Sequence, residues 1–398
     1  MSNFYAAIEI GTTRTVLAIG EEEPGGRLKI TCHAEIPSTG VRKSQILDIN
    51  QATSSIKSVL HAIEKKQSEA GSSITLGNAY LVVSGQHIKA DPFQGMVPIE
   101  GAKVGAEELD DVFRSSRTMQ IPKDREFLDI VDQDYEVDAL RGITTPRGMS
   151  GRILKLNTLQ IHADRNRIDN ARTAADAAKL EIREPLFAAT CAAEAVLEDH
   201  EKRNGAIVLD IGGGSTGYAV YSDGHLATTG VVGVGGDHVT NDIAHAFQTT
   251  NAQAEQIKME SASAIIGTPG EQRVKVPGSS PLMESRTISR RALDTVVNAR
   301  LRELFAVIRE TLEEQDLLNR LHAGIVLTGG GAAMRDIDAL VQRELGMPTR
   351  TGRPVNVDGM EGERHPEAFA AIAGAIMYAS RSDESHSIIG DILGRFFK

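Results

Sequence analysis

Short unbroken apolar runs bounded by turn residues alternate with stretches in which apolar side chains recur every three or four positions. That texture predicts strands laid between helices. Ile8-Glu9-Ile10 and Val16-Leu17-Ala18-Ile19 flank a Gly-Thr-Thr turn and predict a hairpin, while Leu28 to Ala34 alternates and predicts a half-buried strand. Ile56, Val59, Leu60 and Ile63 mark one helix face, followed by the strand Tyr80-Leu81-Val82-Val83. From about Ser84 to His162 the pattern changes. Met96-Val97-Pro98-Ile99, a helix with Leu109, Val112 and Phe113 on one face, and short strands near Ile130 and from Leu156 to Ile161 predict a small α+β insertion.

An Ala-rich stretch from Arg165 to Leu197 brings the chain back, with small residues suited to close helix packing near a hinge. A second hairpin follows, Leu209-Asp210-Ile211 and Tyr218-Ala219-Val220-Tyr221 around Gly212-Gly213-Gly214-Ser215-Thr216. Val239, Ile243 and Phe247 predict a helix opening at Gly235-Gly236. Pro269 to Pro281 is a turn-rich excursion, and Leu293, Val296, Val297, Leu301, Leu304, Ile308 and Leu312 form the core stripe of a long helix from about Ser289. Ile325-Val326-Leu327-Thr328 is a buried strand ending in Gly329-Gly330-Gly331, after which Met334, Ile337, Leu340, Val341 and Leu345 mark a helix. The organisation predicted is a first domain from 1–83 and 163–195, the insertion at 84–162, a second domain at 196–380 with a smaller subdomain about 230–298, a linker at 381–387 and a helix at 388–398.

In that last helix Ile388, Ile389, Ile392, Leu393, Phe396 and Phe397 share one face, with Asp391, Arg395 and Lys398 on or near the other. It is too short to span a bilayer. Burying each large apolar side chain in a membrane interface is worth about 1.5–3 kcal/mol at most, enough for reversible attachment. The other reading is docking on its own body or a neighbour; its place behind the charged linker Arg381-Ser382-Asp383-Glu384-Ser385 favours lipid.

The two hairpins repeat one phrase: an apolar strand carrying a single carboxylate (Glu9, Asp210), then a Gly/Thr or Gly/Ser turn, then a second strand. Facing each other, such turns make a phosphate clamp. Glycines let backbone N–H groups approach an anion, Thr and Ser hydroxyls add donors, and the carboxylates can hold a hydrated divalent cation. Gly212, Gly214 and Gly217 also fit the dinucleotide-binding G-x-G-x-x-G spacing, but that motif needs a helix at the glycines and Tyr218 to Tyr221 is strand sequence. The expected site is an ATP cleft between two related domains, with Gly329-Gly330-Gly331 offering bare backbone to a flat purine.

A net charge of −11 with no block of Lys and Arg argues against nucleic acid as the main partner. Cys32 and Cys191 are the only cysteines, both at packed positions, and predict a reduced, cytoplasmic protein. No signal peptide or spanning run is read, the histidines lack zinc spacing, and no Walker loop or G-x-S-x-G elbow occurs; Ser150 in Gly148-Met149-Ser150-Gly151 is a turn residue.

Glu9-Ile-Gly-Thr-Thr13, Asp210-Ile-Gly-Gly-Gly-Ser-Thr216, Gly235 to Ala244 and Ile325 to Ala332 together resemble the actin-like ATPase superfamily. Within it, Tyr80 to Ile88, Gly95 to Ile99, Ala254 to Lys258 and the terminal helix resemble the FtsA family of bacterial cell-division proteins, from about Tyr5 to Lys398. The resemblance implies an α/β, actin-like two-domain fold of duplicated ribonuclease-H-like domains, an SHS2-type insertion and a C-terminal amphipathic helix. It implies ATP and Mg²⁺ in the cleft, filaments of the protein itself on the cytoplasmic face of the membrane at the division site, binding of the FtsZ C-terminal tail, and recruitment of other divisome proteins through the insertion.

Carried over by position, the resemblance puts Gly11, Thr12, Thr13, Gly212, Gly213, Gly214 and Ser215 on the phosphates and Gly235 and Gly236 beneath them. Glu255 and Lys258 fall near ribose or base, and Gly329, Gly330 and Met334 by adenine. Glu9 and Asp210 would position Mg²⁺ and water, the metal being held through water. Arg300 and Glu303 match the stretch used to dock FtsZ, or else form a solvated helix face. Relatives that hydrolyse vigorously have Asp where Glu9 stands, and many carry another at the place of Gly217; hydrolysis here is expected to be weak or absent. The linker is short for the family, which would hold the body close to the membrane. The rival readings are a pilus-assembly actin-like ATPase and a small-molecule kinase of the same superfamily, the latter lacking an identifiable general base.

Overall fold

The computed structural model describes residues 4–23, 27–72, 74, 76–101, 103–267, 272–276, 285–355 and 357–382. β1 (Phe4–Ile10), β2 (Arg14–Glu23) and β3 (Arg27–Pro37) form an antiparallel meander. Alternate residues feed cores on opposite faces: Tyr5, Ala7, Val16 and Ala18 on one, Ala6, Ile8, Leu17 and Ile19 on the other. A small hairpin, β4 (Val41–Arg42) and β5 (Gln45–Ile46), precedes α1 (Ile49–Glu69), whose N-cap Asp48 accepts from the Gln51 amide at 3.0 Å. β6 (Asn78–Val83) then pairs parallel with β1.

The insertion holds β7 (Lys89–Pro98), α2 (Ala106–Ser115), β8 (Arg125–Val137), β9 (Leu140–Ile143) and β10 (Ile153–Asp164), with sheet order β7-β10-β8-β9. Its own core contains Ile99, Val104, Val112, Val137, Leu154 and Leu156. Phe113, expected on the buried face with Val112, is instead exposed, its ring 3.4 Å beneath the Arg117 guanidinium. The ten-residue helix buries too narrow a stripe on so small a sheet to cover both.

α3 (Arg165–Ala177) and β11 (Glu181–Phe187) return to the first lobe, and α4 (Ala188–Val196) leads out of it. After α5 (Asp199–Asn204), the second lobe runs β12 (Ala206–Ile211), β13 (Thr216–Ser222), β14 (His225–Val232), α6 (Gly236–Ala246), α7 (Asn251–Ser261), β15 (Arg273–Val276), β16 (Arg286–Ser289), α8 (Arg290–Glu314), β17 (Gly324–Thr328), α9 (Ile337–Leu345), β18 (Thr349–Thr351) and β19 (Val357–Asp358). A last described helix covers 370–382.

The main sheets are β11-β6-β1-β2-β3-β19 and β14-β13-β12-β17-β18. Each has an antiparallel hairpin, a third strand antiparallel to its outer arm and a parallel strand against its inner arm. The same topology is therefore used twice. Two C-terminal pieces do not stay within the second lobe: β19 pairs with β3, and the helix 370–382 crosses α4 in the core shared by both lobes. Gly374 makes that crossing possible, since a Cβ there would lie 1.8 Å from the Cys191 carbonyl oxygen. Cys191 is buried, which pushes its thiol pKa up, and Cys32 is half-buried on β3.

Candidate functional site

The two hairpin turns close in the same way. The Gly11 amide donates to the Arg14 carbonyl at 3.0 Å, and the Gly212 amide donates to the Ser215 carbonyl at 3.0 Å. Gly11 and Gly212 are thus equivalent, as are Glu9 and Asp210, each two residues earlier. The turns face each other across the cleft. A Cβ at Gly213 would be 2.1 Å from Thr13 Oγ1, and one at Gly214 would be 2.6 Å from Thr12 Oγ1. Bare backbone is needed at both positions for the lobes to approach so closely.

A cavity of about 430 Å³ opens here, lined among others by Glu9, Gly11 to Arg14, Asp210 to Ser215, Gly235, Gly236, Glu255, Lys258, Gly329, Gly330 and Met334. All the cofactor residues expected from sequence line it. The paired glycines Gly235 and Gly236 act differently from an open anion-binding helix end. The first amides of α6, Gly236 and Asp237, donate at 2.9 Å to the carbonyls of Gly212 and Gly213, and a Cβ at Gly235 would be 2.5 Å from those oxygens. They brace the second turn from behind.

The third glycine cluster also departs from a simple strand-to-helix entry. Gly330–Ala333 is a 3₁₀ turn, Asp336 is left-handed at φ 59°, and only then does α9 begin. Gly329 has φ +78° and a Cβ there would meet Asp210 Oδ1 at 2.6 Å, whereas Gly330 meets nothing within 4 Å. Gly330 is the open floor of the cavity. Beside the start of α6, Lys258 is buried and held by Glu255 at 2.6 Å, Thr240 Oγ1 at 2.9 Å and the Gly236 carbonyl at 3.2 Å.

Glu9 and Asp210 form the electrostatic centre. Burial, then the neighbouring Asp210 charge, raises Glu9 to about 7; burial raises Asp210 to about 6. Arg14 offsets part of both shifts. Its guanidinium pairs with Glu35, donates to the Ala368 carbonyl and lies 5.0 Å from the Phe369 ring, tying the first turn to the C-terminal segment. Sequence reasoning missed Arg14, although its place directly after the turn was a signal. It also missed Ser44 and Ser84, which line the cavity and bear no local motif.

Among the described residues no group of three or more His, Cys, Asp and Glu could hold a metal ion. Two buried carboxylates driven toward protonation do fit a hydrated divalent cation that shares its shell with phosphate oxygens, because the cation would remove their repulsion. Gly217 leaves no room for a further carboxylate, since a Cβ there would lie 2.9 Å from Ala189 Cβ.

Arg300 and Glu303 sit on α8, where Arg300 donates to Asp242 of α6 at 2.6 and 3.0 Å and to Glu303 at 2.6 Å. Donating to the Asp242 carboxylate raises the Arg300 pKa. Ile388, Ile389, Ile392, Leu393, Phe396 and Phe397 lie outside the described residues, as does most of the expected linker. Among the described residues no helix is long and apolar enough to cross a membrane.

Residues 85–162 match the family model for the SHS2 domain inserted in FtsA, and residues 207–374 match that for cell division protein FtsA. The chain is similar to cell division protein FtsA of Pseudomonas aeruginosa, 32% identical over 93% of this chain and 88% of that relative. It is also similar to FtsA of Escherichia coli strain K12, 31% identical over 94% of this chain and 90% of that relative. Among solved structures it resembles the PilM-PilN type IV pilus biogenesis complex, with TM-score 0.64 at 17% identity over 94% of this chain and 98% of that one. MreB5 of Spiroplasma citri bound to ADP gives TM-score 0.57 at 14% identity over 97% and 98%. These two likenesses establish the fold alone: the body is the actin-like two-domain fold, with an SHS2 insertion.

Proposed function

The chain belongs to the FtsA family of cell division proteins, and from that premise we propose that it is an ATP-binding, actin-like scaffold of the divisome. In this reading it forms filaments on the cytoplasmic face of the cell membrane at the division site, ties the FtsZ C-terminal tail to that surface and recruits further division proteins through the insertion. The observation that carries the nucleotide reading is the pair of equivalent turns meeting over two buried carboxylates. MreB5, of the same fold, is a neighbour solved with ADP and with AMPPNP. The likeness to the pilus complex rests on fold, whereas the likeness to FtsA extends through the sequence of both lobes.

The residues divide the work by chemistry. Gly11, Thr12 and Thr13 and Gly212 to Ser215 hold phosphates through main-chain amides and hydroxyls. Gly329, Gly330 and Met334 give adenine a flat wall, and Glu255 and Lys258 flank the ribose side. Mg²⁺, when bound, neutralises phosphate charge; Glu9 and Asp210 hold its water shell. Hydrolysis is slow because Glu9 carries one more methylene than Asp and Gly217 has no carboxylate to aim a second water. ATP therefore acts as a clamp that fixes the lobes and the polymerising surfaces. Arg300 and Glu303 are the assigned FtsZ-docking pair, and residues 388–398 the lipid-binding helix.

Calorimetric titration with ATP and Mg²⁺ tests the site. Gly213→Asp would press a carboxylate against Thr13 and Asp237 and should lower affinity at least about a hundredfold, as like charges brought together cost several kcal/mol. Gly330→Val, whose Cβ meets no atom, should weaken binding without unfolding the protein. Unchanged affinity in both variants would remove the assignment.

A further inference from the structure

The β4–β5 hairpin is joined by a two-residue turn, with Arg42 paired to Gln45 and Lys43 and Ser44 at its tip. Both tip residues are left-handed, at φ 50° and 56°. A turn of this hand is the province of Asn-Gly, because Cβ atoms are strained there. Here Ser44 of the strained pair lines the cleft, with Lys43 exposed beside it. The Ser44 amide donates to Thr12 Oγ1 at 2.8 Å, and Ser44 Oγ lies 3.4 Å from both Ser215 Oγ and Ser84 Oγ. A Cβ on Gly214 would be 3.0 Å from Lys43 Cα and 3.2 Å from the Ser44 amide nitrogen.

Three hydroxyl-bearing segments thus converge on Ser44: both phosphate turns and the first-lobe loop that leads into the insertion. Gly213 neighbours Asp237 at the start of α6, near Lys258, whereas Gly214 neighbours the hairpin tip. Two of the cations lining the cavity are already engaged, Arg14 by Glu35 and Lys258 by Glu255, whereas Arg335 makes no ion pair among the described residues. Among the described residues Lys43 makes no ion pair or side-chain hydrogen bond, and it is exposed on a flexible four-carbon stem beside the turn.

Resting on the nucleotide reading above, we propose that the Lys43–Ser44 tip is the terminal-phosphate subsite of this cleft, Ser44 donating through its hydroxyl and Lys43 supplying the charge that distinguishes a triphosphate from a diphosphate. Strain at the tip persists because the surrounding turns hold it where a γ-phosphate oxygen would sit. A diphosphate stops short of it.

The test measures ATP and ADP affinities, with Mg²⁺ present, for the full chain, Lys43→Ala and Ser44→Ala. A charge-assisted hydrogen bond lost at this site should weaken ATP about tenfold in Lys43→Ala while leaving ADP within about twofold. In the unsubstituted protein, ATP but not ADP should slow tryptic cleavage after Arg42 and Lys43. Equal losses for the two nucleotides, or an unchanged ATP-to-ADP ratio in both variants, would overturn the subsite. Failure of the unsubstituted protein to bind either nucleotide would instead overturn the cleft reading on which it depends.

Discussion

Replacing Glu9 by Gln should make the nucleotide-free protein more stable at pH 8 and leave it unchanged near pH 4.5. In the folded chain burial and the Asp210 charge raise Glu9 from 4.5 to about 7. At about 1.36 kcal/mol per pKa unit, that gap corresponds to roughly 3 kcal/mol of folding energy. The folded state binds the proton more tightly than the unfolded chain, so stability falls as pH rises through the window from 4.5 to about 7, and the whole cost is present above it. Glu9→Gln keeps the shape and removes the ionisation. Asp210, raised to about 6 by burial, gives up its proton while Glu9 still holds its own, so its contribution is common to both proteins. Urea denaturation of both proteins at pH 4.5, 6 and 8, with chelator and without nucleotide, gives the comparison. The variant should gain about 3 kcal/mol on the parent between the first and last pH. Parallel pH profiles would refute the claim that these carboxylates are forced together in a dry cleft. Saturating Mg²⁺ and ATP should shrink the gap, because a bound cation makes the ionised pair favourable.

Deleting Ile388 to Lys398 should abolish co-sedimentation with vesicles of phosphatidylethanolamine and phosphatidylglycerol while leaving ATP affinity unchanged; undiminished lipid binding would refute the role assigned to that segment. Gly374→Ala should lower the thermal midpoint markedly, since its Cβ would meet the Cys191 carbonyl oxygen at 1.8 Å and overpacking costs about 1–3 kcal/mol or more. An unchanged midpoint would show that the two helices of the shared core are not locked together.

The catalytic-looking turns were legible in the sequence because their chemistry is local. A strand with one carboxylate, a bare turn and a second strand are contiguous, and both copies closed with the same amide-to-carbonyl bond. The long α8 stripe was legible for a related reason: Leu293, Val297, Leu301, Leu304, Ile308 and Leu312 lie on one face and all are buried. What escaped was assembled over distance. Arg14 acquires its meaning from Glu35, Ala368 and Phe369, and Ser44 from Thr12, Ser84 and Ser215. No periodicity announces such meetings. The joining of Val357–Asp358 to β3 was invisible because so short a strand carries no pattern of its own. Gly235 lines the cavity where the motif was read, and its close packing against the Gly212 and Gly213 carbonyls is a second demand for glycine that no local pattern announced.

A crystal structure grown with a slowly hydrolysed ATP analogue and Mg²⁺ tests the central claim most directly. The triphosphate should lie between Thr12-Thr13 and Gly213 to Ser215, its last phosphate against Ser44 and its purine over Gly330. Nucleotide density seated anywhere else on the molecule would contradict the account.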